Sequence, residues 1–186
     1  MTTHDIFRRV TAALDGAGIP YMLTGSFASS FHGSPRSTQD IDIVIAPTAD
    51  QLRGLAKMFP ESEYYLDIGA ALEALAMQSQ FNIIDLVTGW KIDLIIRRDR
   101  PFSQEEFARR REVRIADVRL SIATAEDVLI AKLEWSKLGE SSRQIEDAAG
   151  ILRIRGGELD LGYIEVWVER LGLGSQWEAA QRWGDH

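Results

Sequence analysis

The sequence contains no cysteine and only three histidines. The absence of thiols excludes disulfide bonds and thiolate zinc sites. The histidines, His4, His32 and His186, are scattered, and two of them are near the ends of the chain. They therefore give no basis for a histidine metal cluster or a Ser-His-Asp triad.

Long apolar runs and an excess of basic charge are also missing. No run approaches the length that spans a bilayer, and Met1–Asp5 has neither the basic start nor the apolar core of a signal peptide, so we expect a cytoplasmic protein. The formal net charge of −7 argues against a general nucleic-acid coat protein but leaves room for a local basic groove. The 186 residues suffice for one domain with a full core, or for a compact domain with a helical appendage.

The rest of the chain is organised around the stretch from Tyr21 to Pro47. Asp40 and Asp42 alternate with isoleucines in a run typical of a strand. Because successive side chains point to opposite faces of a strand, both carboxylates share one face and the isoleucines pack on the other. Adjacent like charges are costly unless a cation lies between them. The pattern predicts bound Mg²⁺, or Mn²⁺ in its place, since hard cations prefer carboxylate and phosphate oxygens.

Gly25 and Ser26 precede this strand and are followed by a short predicted helix. Glycine permits close backbone approach, and N–H groups at a helix start bind phosphate. Together with the two acids, this spacing resembles the signature of the nucleotidyltransferase superfamily with the DNA polymerase beta-like fold. The plainer alternative is an edge strand with two solvated acids after a serine-rich loop.

The segment from Arg36 to Asp42 is most similar to a small bacterial branch related to abortive-infection toxin nucleotidyltransferases, which carry Arg-x-Thr-x-Asp-Ile-Asp. The resemblance implies that Asp40 and Asp42 bind the metal and carry catalysis. It also makes Arg36 and Thr38 candidate nucleotide contacts.

A third acid is implied by the same resemblance, on a strand beside the first. Asp93 fits that place in the predicted strand 91–96, and Asp85 in the preceding predicted strand is its competitor. The proposed chemistry also requires a third acid, because two-metal phosphoryl transfer needs about three carboxylates to hold the ions. We expect Asp93 to serve, as a metal ligand and catalytic residue. The alternative for either acid is a cross-strand partner of a lysine or arginine.

The stretch from Arg97 to Arg119 is rich in arginine. Ser103 is predicted to cap a helix running to Arg111. One interpretation is a solvated helix face with i,i+4 ion pairs such as Glu106 with Arg110. The other is a basic rim that steers triphosphate or RNA towards the carboxylates.

After Ile122 the pattern is helical throughout. Lys132 falls in the apolar sector of its predicted helix, so it must either extend to solvent or reach a buried anion. This half also resembles the superfamily, which implies that Lys132 and Asp147 help shape the nucleotide pocket. The three tryptophans at positions 135, 167 and 177 are predicted to pack in the core or between helices.

These patterns predict an α+β fold with a nucleotidyltransferase-like mixed sheet flanked by helices and a helical C-terminal half. The predicted domains are residues 1–122, the catalytic domain, and residues 123–186, a helical region packed on it. Gly25 and Ser26 would hold the NTP phosphates, and Lys132 would offset their charge.

The resemblance implies an enzyme that moves NMP from an NTP to an acceptor hydroxyl on RNA, protein or a small molecule and releases pyrophosphate. Two rivals stay open. One is a nucleotide-binding or regulatory module without turnover, part of a toxin–antitoxin-like pair, and the other is an antibiotic nucleotidyltransferase. A cognate antitoxin or a second copy of the chain is the expected partner. The acceptor, the preferred base and the oligomeric state are not determined by the sequence.

Overall fold

A computed structural model describes residues 3–35, 37–115, 117–139 and 141–184. The chain divides into two compact units. The first unit comprises the chain up to Leu23 together with Thr38–Ile122, and the second comprises Thr24–Ser37 and the chain from Ala123 onwards. The segment Thr24–Ser37, which the sequence analysis assigned to the first domain, thus groups with the C-terminal helices. Within the described residues, no helix is long and apolar enough to cross a bilayer.

One mixed sheet forms the centre of the first unit. In the described residues it has seven strands, in the order β3-β4-β5-β2-β1-β7-β6. The parallel pairs are β1 with β7 and β2 with β5, whereas β3–β4, β4–β5 and β6–β7 are antiparallel. The strands are β1 (Tyr21–Thr24), β2 (Asp40–Ile45), β3 (Tyr64–Tyr65), β4 (Gln80–Asp85), β5 (Lys91–Ile96), β6 (Arg111–Ile115) and β7 (Val118–Ile122).

Alternating branched residues build the core of this sheet. In β2 and β5 the isoleucines and leucines at 41, 43, 92 and 94 are at most 1% exposed. Such residues fit the pleated surface and account for most of the apolar area removed from water. The sequence pattern of these two strands is therefore confirmed, and it fixes which face their acids occupy.

Four helices belong to the first unit: α1 (Thr3–Gly16), α3 (Ala49–Ala56), α4 (Ile68–Met77) and α5 (Pro101–Arg109). Thr48 forms a capping box with Gln51 at the start of α3, which ends at Ala56. The expected cap of α5 at Ser103 is wrong. The helix begins at Pro101, with proline at its first position, and buried Ser103 instead accepts a hydrogen bond from Arg100.

The second unit is helical. It contains α2 (Gly25–His32), α6 (Ala125–Gly139), α7 (Ser142–Arg155), α8 (Leu161–Leu171) and α9 (Gly174–Gly184). Helix α2 packs against α6 and α7. The mixed sheet and the helical C-terminal half confirm the predicted fold class.

The end of α2 shows how closely this unit is packed. A Cβ added at Gly33 would lie 2.9 Å from the backbone nitrogen of Ile151 in α7, so only glycine fits without a shift. His32 Nε2 is 2.8 Å from the carbonyl oxygen of Ala123. Trp167 and Trp177 are buried as predicted, but Trp135 is 51% exposed, so its prediction as a core residue is wrong.

Candidate active site

Four charged side chains share one face of the paired strands β2 and β5. In the parallel register Asp40 lies beside Lys91 and Asp42 lies beside Asp93. Since residues two apart on a strand share a face, and directly paired residues do so too, all four side chains lie on the same side of the sheet. We call the surface formed by Asp40, Asp42, Lys91 and Asp93 the carboxylate face. The structure therefore brings together the three predicted acids.

Exposure decreases from the start of β2 towards β5. Asp40 is exposed and Asp42 is partly buried, whereas Asp93 is only 8% exposed. Lys91 Nζ donates a hydrogen bond to Asp93 Oδ2 at 2.8 Å. The hydrogen bond with Asp93 raises the pKa of the Lys91 ammonium; burial opposes this, and the charges of Asp93, Asp40 and Asp42 add to it. Lys91 is thus held as a cation among three carboxylates.

The donor set has the chemistry that Mg²⁺ or Mn²⁺ prefers, namely several carboxylate oxygens on one face. In the described residues, however, no group of three or more His, Asp or Glu side chains is arranged to hold an ion. The cation that the acids surround is the ammonium of Lys91. The residues fit a divalent cation in type, and Asp93 is hydrogen-bonded to Lys91 in this arrangement.

Asp85, the competing third acid, lies on the opposite side of the sheet. The antiparallel register pairs Asn82 with Asp93 and Ile84 with Lys91, so Asp85 must point away from the carboxylate face. It is 1% exposed, and its Oδ1 accepts hydrogen bonds from the amides of Val87 and Thr88 at 2.9 and 3.0 Å. Asp85 therefore holds the turn between β4 and β5.

The loop before β2 contains the two other candidates from the resemblance. Arg36 lies outside the described residues. The Thr38 side chain accepts a hydrogen bond from the Asp40 amide at 3.2 Å, which fixes the start of β2. Thr38 thus sits next to the first acid of the carboxylate face and supports its backbone.

Gly25 and Ser26 form the first turn of α2 in the second unit. Gly25 has φ +64°, a left-handed conformation that favours glycine. Thr24 precedes the helix without a side-chain cap on its first turn. The predicted helix start at the Gly-Ser pair is confirmed, and its first-turn amides provide donors of the type that bind anions.

Lys132 and Asp147 form an ion pair within the second unit. Lys132 Nζ donates to Asp147 Oδ2 at 2.8 Å, and the two side chains are 5% and 11% exposed. This confirms that a lysine in the apolar sector of α6 reaches a buried anion. Its predicted contact with nucleotide stays a prediction, because the same ammonium is bonded to Asp147 here.

The arginines of the predicted basic rim lie on several elements of the first unit. Arg97 and Arg110 both lie over the Phe107 ring, with guanidinium carbons 5.5 and 4.2 Å from its centre. Arg114 and Arg119 are paired directly across β6 and β7 and are exposed. This edge of the sheet is three strands away from β2, so part of the arginine-rich stretch is remote from the carboxylate face.

No family model matches the sequence, and no curated protein matches it. Solved structures do resemble the fold. The antibiotic-resistance factor ANT(2'')-Ia, in complex with adenylyl-2''-tobramycin, superposes with a TM-score of 0.57 at 13% identity over 95% of this chain and 99% of that one. This chain has the nucleotidyltransferase fold.

Two further structures extend the similarity to this nucleotidyltransferase fold. An antigenic nucleotidyltransferase-like protein from Paracoccidioides brasiliensis gives a TM-score of 0.56 at 17% identity, over 94% of this chain and 91% of that one. The lincosamide antibiotic adenylyltransferase LnuA, bound to lincomycin, gives a TM-score of 0.51 at 13% identity, over 81% of this chain and 98% of that one. The predicted resemblance to the superfamily is confirmed in the fold, and the toxin-related branch stays a prediction.

Sequence reasoning missed one member of the carboxylate face. Lys91 shares a face with Asp93 in the predicted strand, but that pattern alone gives the lysine no role. The available signal was its alternation with Asp93 at the start of a strand. What makes Lys91 part of the site is its register position beside Asp40, which no local pattern reveals.

Proposed function

We propose that the protein is a metal-dependent nucleotidyltransferase, which transfers NMP from an NTP to an acceptor hydroxyl and releases pyrophosphate. The observation that carries the proposal is the carboxylate face. Asp42 and Asp93 are paired in register, and Asp40 lies on the same face of a nucleotidyltransferase fold. A purely structural role does not account for this face, since three clustered carboxylates repel one another and destabilise the fold.

Each acid has a role that follows from its position. Asp40 and Asp42, the more exposed pair, would hold Mg²⁺ or Mn²⁺ together with the NTP phosphates. The ion, when bound, supplies positive charge that stabilises the phosphate oxygens and acidifies the acceptor hydroxyl. Asp93 is the general base because it is the most buried of the three and is spared full hydration. Thr38 keeps Asp40 in place, because its hydroxyl oxygen accepts a hydrogen bond from the backbone amide of Asp40.

In the proposed reaction the acceptor oxygen forms a bond to the α-phosphorus. The bond between that phosphorus and the oxygen bridging to the β-phosphate breaks, and its electron pair leaves with pyrophosphate. The hydroxyl proton passes to the Asp93 carboxylate. Gly25 and Ser26 stay candidates for binding phosphate, because the first-turn amides of α2 and the helix dipole favour an anion.

A small molecule with hydroxyl groups is the acceptor class that we favour. Two of the solved structures with the same fold are antibiotic adenylyltransferases, and each is matched over nearly its whole length. A net charge of −7 also disfavours a large polyanionic acceptor, which would have to overcome long-range repulsion. An antibiotic hydroxyl is therefore the first acceptor to test, ahead of RNA.

Calorimetric titration with a non-hydrolysable NTP and Mg²⁺ tests the nucleotide site. We expect the wild type to bind and Asp42→Asn to lose binding while keeping its melting temperature within a few degrees. Asp50→Asn is the matched control, since Asp50 is a 95% exposed carboxylate on α3. Equal binding by wild type and Asp42→Asn would refute the assignment of the carboxylate face.

Pyrophosphate release separates turnover from binding. The wild type is incubated with each NTP, Mg²⁺ and either aminoglycosides, lincosamides or tRNA, and NMP-labelled acceptor is detected by mass spectrometry. We expect acceptor-dependent release that Asp93→Asn abolishes. Tight nucleotide binding with no release for any acceptor would favour the non-catalytic module, including a regulatory member of a toxin–antitoxin-like pair completed by its partner or by a second copy.

A further inference from the structure

The carboxylate face already contains a cation of its own. Its three carboxylates and one ammonium leave two negative charges, which is the charge that one divalent ion balances. The Lys91 side chain is 40% exposed and that of Asp93 is 12% exposed, and their charged atoms are 2.8 Å apart. At this distance the ammonium donates a charge-assisted hydrogen bond to the carboxylate.

The influence of this ammonium extends beyond Asp93. The register places Lys91 directly beside Asp40, while Asp42 is the direct neighbour of Asp93. Since Asp42 is two residues from Asp40 on the same strand, Lys91 shares its face of the sheet with all three acids and donates its hydrogen bond to Asp93. Lys91 is therefore the counter-ion of the whole face.

Direct coordination of a metal by Asp93 conflicts with this arrangement. Metal–oxygen distances to Mg²⁺ are about 2.0–2.1 Å, so an ion on Asp93 would lie within a few ångströms of the ammonium bonded to it. Two cations at that separation repel each other strongly.

We propose that Lys91 is a resident counter-ion that competes with the divalent cation for the carboxylate face and holds Asp93 in position until the cation binds. The inference rests on the proposed function. Lys91 acts through Asp93 and is a positioning residue. Its ammonium must move off Asp93 when the ion is bound, and its long, half-exposed side chain allows that movement.

The expected effect is an increase in metal affinity when the ammonium is removed. A unit charge about 5 Å from a divalent ion, in a site open enough to be screened nearly as in water, changes the affinity by about tenfold. Lys91→Gln should therefore bind Mn²⁺ about tenfold more tightly than the wild type. A merely structural lysine would give the opposite sign, because its loss would disorder the site.

The test is calorimetric titration of Mn²⁺ into the nucleotide-free protein at fixed ionic strength. Lys91→Gln is compared with Lys91→Arg, which keeps the charge, and with Lys57→Gln, which removes an exposed lysine beyond the end of α3. Melting temperatures with and without Mn²⁺ provide a second readout that needs no catalysis. We expect tighter binding only for Lys91→Gln and a larger stabilisation of that variant by Mn²⁺.

Three results would overturn the inference. If Lys91→Gln binds Mn²⁺ as the wild type does or more weakly, Lys91 does not compete, yet the proposed function stands as long as the wild type binds metal and nucleotide. If Lys57→Gln tightens binding equally, the effect is one of net charge. If neither the wild type nor Lys91→Gln binds Mn²⁺, with or without NTP, the inference and the metal-dependent function fail together.

Discussion

Removing the ammonium of Lys132 should destabilise the protein severely. The change is Lys132→Met, which keeps an unbranched apolar side chain of nearly the same length and deletes the charge. The ion pair with Asp147 has a separation of 2.8 Å, and both side chains are almost fully buried. The variant leaves the Asp147 carboxylate buried without this ammonium. Breaking one side of such a pair costs about 3–5 kcal/mol of unfolding free energy.

For a chain of this length, 1 kcal/mol corresponds to about 2–4 °C in melting temperature. Lys132→Met should therefore melt about 6–20 °C lower, and urea denaturation should give the same loss in free energy. Lys137→Met is the matched control on α6. Lys137 is exposed and hydrogen-bonds the carbonyls of Leu171 and Gly172, so its loss should cost less than about 1 kcal/mol.

A double variant, Lys132→Met with Asp147→Leu, completes the cycle. If Lys132 and Asp147 stabilise each other, the double variant recovers most of the lost unfolding free energy, because neither position then carries a buried charge. A loss of less than about 1 kcal/mol in Lys132→Met would refute this reasoning. If nucleotide affinity collapsed at the same time, Lys132 would be a phosphate contact as the superfamily resemblance implies.

Two further predictions concern buried acids of the first unit. Burial and the charge of Asp15 raise the pKa of Tyr21 from 10.0 to about 12. Between these pH values only the unfolded chain loses the proton, so stability falls as the pH rises. By pH 11 the wild type should lose about 1.4 kcal/mol more than Tyr21→Phe in urea denaturation, and equal losses would contradict the shift. Asp85→Asn should lower stability by about 1–3 kcal/mol through its turn but leave both Mg²⁺-dependent nucleotide binding and turnover intact, whereas Asp93→Asn should abolish turnover. Loss of binding in folded Asp85→Asn would reverse that assignment.

Local chemistry made much of the fold predictable. The alternation of acids and isoleucines around Asp40 fixed both the strand and the face of its carboxylates, because a strand has a strict period of two. The lysine in the apolar sector of α6 had two possible outcomes, solvent or a buried anion, and the structure shows the second, with Asp147 as the anion.

Properties that depend on register were out of reach. The superfamily resemblance favoured Asp93 over Asp85, but only the antiparallel pairing of β4 with β5 shows that the two acids lie on opposite sides of the sheet. The neighbourhood of Lys91 depends on the pairing of β5 with β2, whose strands are separated by more than forty residues. Ser103 misled the helix assignment because a proline two residues earlier was the stronger start signal.

The assignment of Thr24–Ser37 to the helical unit has a consequence for dividing this protein into fragments. The backbone passes from one unit to the other at three places, so no single cut yields both. A fragment that begins at Ala123 would lack α2 and would expose the surface of α7 that Gly33 closely contacts. A fragment that ends at Ile122 would carry α2 without the helices that bury it. Split-protein and domain-exchange experiments should therefore move residues 24–37 together with the C-terminal helices. A simple truncation at Ile122 or Ala123 should give an incomplete unit.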